Sequence, residues 1–121
     1  MESSQQPVSR YAHPLSVERE EHGATIVFRC RGPFSILNDL RLRELEREVG
    51  VVDAARVVLD FREVTYLDSR GLGTLAGCVR KLGAQGKELL LVTNPSVRDP
   101  ICTTGLDKVL RLCDSLDEAL R

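Results

Sequence analysis

The chain has 121 residues, the length of one domain, which leaves no room for a second. Apolar residues make up 42% and charged residues 29%, the values of an ordinary soluble globular protein. A net charge of −1, only 4% aromatics and no Trp argue against a dedicated nucleic-acid binder, which needs a basic face or stacking platforms.

Residues 1–14 are polar, contain Pro7 and Pro14, and are expected to form a flexible arm ahead of a domain over 15–121. Leu15 to Arg19 reads as a short strand, and Glu20-Glu21-His22-Gly23 as a turn, since Gly23 tolerates positive φ. From Thr25 to Arg31 the apolar residues Ile26, Phe28 and Cys30 alternate, which is the pattern of a half-buried strand. The two segments make an opening hairpin. Gly32-Pro33 then breaks the pattern. A helix is expected from Asn38 or Asp39, either of which can cap it, with Leu42, Leu45 and Val49 on its apolar face and Gly50 at its end.

Val57-Val58-Leu59 has the continuous apolar character of a central strand covered on both faces, closed by Asp60. A second helix is predicted over 71–82, because Leu72, Leu75, Ala76, Val79 and Leu82 recur with helical period. Arg80 and Lys81 suit its C-terminal dipole, and Gly83 or Gly86 ends it. Leu89 to Val92 is another buried-strand run. Asn94-Pro95-Ser96 opens a third helix that must either start late, near Asp99-Pro100, or kink at Pro100, and Gly105 ends it. Val109, Leu110 and Leu112 suggest a last strand, and Ser115 to Glu118 has the capping-box spacing of a terminal helix. The order β-β-α-β-α-β-α-β-α implies an α/β fold: a mixed, mostly parallel sheet of about five strands packed with about four helices.

Cys30, Cys78, Cys102 and Cys113 form no C-x-x-C pair, and His13 and His22 supply no zinc-type spacing. No metal, cofactor or catalytic residue is expected, and Cys78 has no histidine partner at readable spacing. The start of the chain lacks the pattern of a signal peptide, and no apolar run approaches the length of a membrane span. Free thiols in a reducing cytoplasm are the expectation. Arg29 and Arg31, or Arg41, Arg43 and Arg47, are candidates for small basic patches. Interleaved Glu44, Glu46 and Glu48 make the second group a solvated helix face instead. The strand over 25–31 is either a surface for a second copy of the chain, giving a homodimer, or a covered edge.

The most informative segment is the junction from Phe61 to Gly73. Asp68 and Ser69 are good N-cap residues, and the free N–H groups behind them can hold an anion or a partner's carbonyl. Gly71 and Gly73 would let another backbone approach closely. Simple helix capping is the plainer alternative. Gly71-Leu72-Gly73-Thr74-Leu75-Ala76 matches the dinucleotide fingerprint, but the chain is too short for paired βαβαβ halves and no acidic residue closes the next strand. Asp60 at a strand end suggests a phospho-accepting aspartate, yet the acidic pair that would hold the metal is missing.

Val57 to Phe61, followed by Val64-Thr65-Tyr66-Leu67-Asp68-Ser69-Arg70-Gly71-Leu72-Gly73, resembles the motif of the STAS domain family, whose best-known members are bacterial anti-sigma factor antagonists. Gly86 to Leu89, Asn94 to Val97, Thr104 to Leu110 and Ser115 to Ala119 extend the resemblance over residues 15–121. It implies a non-enzymatic switch domain that binds a GHKL-type kinase and anti-sigma factor through Asp68, Ser69, Arg70, Gly71, Leu72, Gly73 and Thr74. Phosphorylation at the start of the second helix ends that binding in the family, by adding about −1.5 to −2 charges to a docking surface.

This chain departs from the family at one position. The accepting hydroxyl normally follows the Asp-Ser pair, and Arg70 stands there instead. Ser69, Thr65 and Thr74 are the remaining candidate acceptors; constitutive binding or a branch without a kinase switch is the favoured reading. Arg70 can itself pair with a carboxylate or a phosphate. A second functional reading is a STAS subunit of a lipid-transport or signalling scaffold complex.

Overall fold

The structure, a computed structural model, describes residues 13–121, so the expected N-terminal arm lies outside the described residues except for His13 and Pro14. Five strands form one sheet in chain order: β1 (Ser16–His22), β2 (Thr25–Phe34), β3 (Arg56–Leu67), β4 (Glu88–Val92) and β5 (Arg111–Cys113). β1 is antiparallel to β2, and every later pair is parallel. The parallel pairs are linked through α1 (Asp39–Val51), α2 (Ser69–Gly83) and α3 (Pro95–Thr103), while α4 (Leu116–Leu120) follows β5.

Right-handed crossovers that all step in one direction place their helices on one side of a sheet. The packing follows that rule. Leu42, Leu45 and Val49 of α1, Leu75, Cys78 and Leu82 of α2, and Val97 and Ile101 of α3 share one apolar cluster with Phe28, Leu59, Phe61 and Leu91. On the opposite side Val27, Val58, Leu90, Val92 and Cys113 pack with Ala119, Leu116 and Leu120 of α4. Val57, Val58 and Leu59 are fully buried, as expected of a strand covered on both faces. The mixed, mostly parallel α/β architecture expected from the sequence is the one found.

Several boundaries differ from the sequence expectation. β1 continues through His22, and the hairpin closes on Gly23 and Ala24, with Gly23 at φ 62°. A two-residue loop led by a positive-φ glycine matches the twist of the strands it joins. Gly32-Pro33 does not end β2; it shifts the register against β3, and the strand continues to Phe34. β1 is already spent at that point, since its ladder stops at Arg31, so Pro33 removes no donor from a two-sided ladder. Nor does β2 offer an edge to a second chain. It is paired on both sides, so the route to a homodimer through 25–31 is closed.

Asn38 precedes α1 but makes no capping bond. Its amide instead donates to Pro33 O (2.9 Å) and His13 O (3.0 Å), and its carbonyl accepts from Leu15 N (3.2 Å). Ser35 caps a short 3-10 turn over Ile36–Asn38, and α1 runs one residue past Gly50. Asp60 does not close β3, which continues seven residues further, to Leu67, paired with β2 alone. The Asn94 side chain borders that extension, donating to Phe61 O (2.8 Å) and Val64 O (2.9 Å) while its oxygen caps α3. α3 begins at Pro95 and contains Pro100; the carbonyl left without an N–H partner belongs to exposed Ser96. Val109 is exposed, and the last strand starts only at Arg111.

Candidate docking site

α2 begins two residues earlier than its apolar period suggests, at Ser69, and Asp68 is its N-cap. One Asp68 oxygen accepts from Gly71 N (2.9 Å), satisfying a helix N–H that has no partner within the helix. The other accepts from Ile36 N (3.0 Å). One carboxylate therefore ties the start of α2 to the 3-10 turn ahead of α1, and the two helix starts form a single surface.

The residues of the motif divide by the direction they face. An added Cβ on Gly71 would sit 2.1 Å from Phe34 O and 2.8 Å from Leu67 Cδ1, so the close backbone approach expected there is made by β2 of the same chain. Thr74 is fully buried, and its hydroxyl donates to Arg70 O (3.2 Å). Ser69 and Gly73 are exposed, Leu72 and Arg70 partly so, and nothing lies within 4 Å of a Cβ placed on Gly73. Ser69, Arg70 and Gly73 are thus the motif residues that face outward, while Asp68 is partly exposed, Leu72 packs on the core with part of its side chain open, and Gly71 and Thr74 shape the surface from behind.

Three aliphatic side chains adjoin this face and were not anticipated: Ile36 (56% exposed), Leu37 (58%) and Leu40 (73%). Exposed Tyr66, near the end of β3, precedes Asp68 by two residues. Neighbouring exposed aliphatics of this kind mark contact surfaces more often than isolated ones do. The available signal was negative: Leu40 falls off the Leu42, Leu45, Val49 stripe, and Ile36-Leu37 belongs to no helical or strand period.

Arg70 donates through Nε to Asp39 Oδ1, across 31 positions of sequence. The other Asp39 oxygen faces Arg43 Nε at 2.9 Å. The hydrogen bond from Arg70, with the charge of Arg43 beside it, holds the Asp39 carboxyl below its ordinary range. Arg70, the residue singled out in the sequence, thus has its guanidinium engaged with the first turn of α1.

Asp60, the other acidic residue weighed for chemistry, is only 1% exposed and is gripped by Arg62 through Nε (2.9 Å) and Nη2 (2.7 Å). Burial works to raise its pKa, but the hydrogen bonds and charge of Arg62, helped by Arg29, outweigh it and lower the value. At 1% exposure it is closed off from an incoming phosphoryl donor. Burial pushes the Cys78 thiol up to about 12 and the Cys30 thiol further, which removes both as nucleophiles at neutral pH. Four of the five arginines weighed as basic patches are ion-paired: Arg29 with Glu20, Arg31 with Glu63, Arg41 with Glu44, and Arg43 with Asp39. Among the described residues no group of three or more His, Cys, Asp or Glu is placed to hold a metal, and no helix is long and apolar enough to cross a membrane.

Comparison with known proteins agrees with the fold. The family model described as STAS domain matches residues 16–119. The anti-sigma-F factor antagonist RsfB of Mycobacterium tuberculosis is 30% identical over 106 residues, covering 88% of this chain and 87% of RsfB. A crystal structure of an anti-sigma factor antagonist from Mycobacterium paratuberculosis superposes with a TM-score of 0.73 at 31% identity, over 88% of this chain and 91% of that one. The unphosphorylated form of the anti-sigma factor antagonist SpoIIAA shares the fold, with a TM-score of 0.70 at 20% identity over 87% of this chain and 93% of SpoIIAA.

Proposed function

Because the chain belongs to the STAS domain family, we propose that it is a non-enzymatic, cytoplasmic anti-sigma factor antagonist that docks its partner on the shared start of α1 and α2. The observation that carries this reading is the exposed aliphatic trio Ile36, Leu37 and Leu40, set beside the outward motif residues Ser69, Arg70 and Gly73. Its relatives' names supply the partner class, an anti-sigma factor. The family resemblance adds that this factor is of the GHKL kinase type. Apolar anchors surrounded by polar groups are the usual arrangement of a protein contact in which a few residues carry most of the energy.

In this reading the contact is not switched by phosphorylation. Arg70 occupies the acceptor position and is tied to Asp39, leaving Ser69 as the neighbouring hydroxyl. Calorimetric titration with the anti-sigma factor of the same genome tests the docking. Leu40→Asp places a charge on the trio without touching the core, and the expected result is at least about tenfold weaker binding with an unchanged melting temperature. Wild-type affinity in that variant would rule this surface out.

A further inference from the structure

Asp39 serves two arginines at once. Arg70 and Arg43 both reach it through Nε, and among the described residues the Nη groups of neither arginine find an acceptor. The nearby acidic groups are committed elsewhere: Asp68 to the backbone N–H groups of Ile36 and Gly71, Glu44 and Glu48 to Arg41. Two guanidinium forks and one carboxylate leave several donors unused and sum to one positive charge, while Asp68, two residues from Arg70, keeps its own negative charge. Arg43 and Arg70 remain within reach of a partner, their side chains 66% and 33% exposed. The cluster adjoins Leu40, the most exposed of the three aliphatics.

We propose that this cluster is a carboxylate-recognition site, and that the partner inserts an Asp or Glu between Arg70 and Arg43 while its apolar residues cover Ile36, Leu37 and Leu40. The inference rests on the docking reading above and adds to it the chemistry of the partner. A guanidinium with its Nη pair unused presents two parallel donors matched to a carboxylate, a geometry that lysine or a hydroxyl would not offer. Arg70 then acts as a specificity determinant that brings a fixed positive charge to the docking surface. Asp39 becomes an internal competitor for the same donors, holding the two side chains in place when no partner is bound.

That competition gives the test an unusual sign. Binding of the anti-sigma factor is measured by calorimetry at fixed low ionic strength for wild type, Asp39→Asn, Arg43→Gln and Leu40→Asp, with thermal melts showing that each variant is folded. An acidic partner group should bind about three- to tenfold more tightly once the Asp39 charge is removed, and more weakly by a similar factor in Arg43→Gln. The Arg43→Gln complex should also lose part of its salt dependence. Unchanged or weaker binding by Asp39→Asn, or wild-type binding by Arg43→Gln, overturns the carboxylate site. Wild-type binding by Leu40→Asp overturns the docking surface itself, so the two failures are told apart.

Discussion

The first two turns of α2 have an inner and an outer side, and the family motif draws on both. On the inner side Gly71 is pressed against Phe34 O, and Thr74 is closed off with its hydroxyl bonded to the helix. On the outer side Gly73 faces open space, and Arg70 pairs with Asp39 across the surface. Two glycines separated by one leucine look equivalent in sequence, yet one is demanded by packing and the other is not. A motif that marks a family can therefore be held partly by the fold and only partly by the partner, and substitution on the two sides should separate these causes.

The largest effect is expected on the inner side. In Gly71→Ala the new methyl would meet a backbone oxygen at 2.1 Å, which only a shift of β2 or α2 can relieve. Urea unfolding should show a loss of about 3 kcal/mol, and a loss under about 0.5 kcal/mol would mean that the two elements separate easily.

A second contrast is between the buried and the surface carboxylate. Asp60 has a pKa lowered from 3.8, so its stabilisation is present above that value and lost as pH falls through the lower folded one. Unfolding measured from pH 7 down should steepen below about pH 4 in wild type. Asp60→Asn should flatten that acid limb at a cost of about 1–3 kcal/mol at neutral pH. Asp39→Asn should change the limb less, because solvent screens this partly exposed pair more than it does Asp60; equal effects from the two would erase the distinction.

The smallest effect belongs to the outer glycine. Gly73→Ala adds a methyl where nothing lies within 4 Å, so helix propensity alone should stabilise the chain by about 0.5–1 kcal/mol. Destabilisation of that size or more would place Gly73 with Gly71 on the packed side.

The sequence was most legible where burial imposes a period. Leu42, Leu45 and Val49 keep helical spacing because one face of α1 meets the sheet, and Val57 to Leu59 are all apolar because helices cover both faces of β3. The end of β3 was hidden because Arg62, Glu63, Thr65 and Tyr66 lie beyond the reach of β4 and stay exposed, so no apolar run continues. The capping role of Asp68 was readable from local chemistry; its second bond, to Ile36, was not, since that contact spans 32 positions. For the same reason Arg70 could be identified as an unusual residue, but its partner Asp39 could not. Ile36, Leu37 and Leu40 escaped notice because exposed aliphatic side chains follow no burial period.

The intact mass of the wild-type chain after incubation with ATP and its anti-sigma factor tests most directly whether docking has lost its phosphate switch. The expected result is an unchanged mass for wild type and the gain of one phosphate for Arg70→Ser. A wild-type chain that acquires a phosphate on Ser69 as readily as the variant does on its new serine would contradict it.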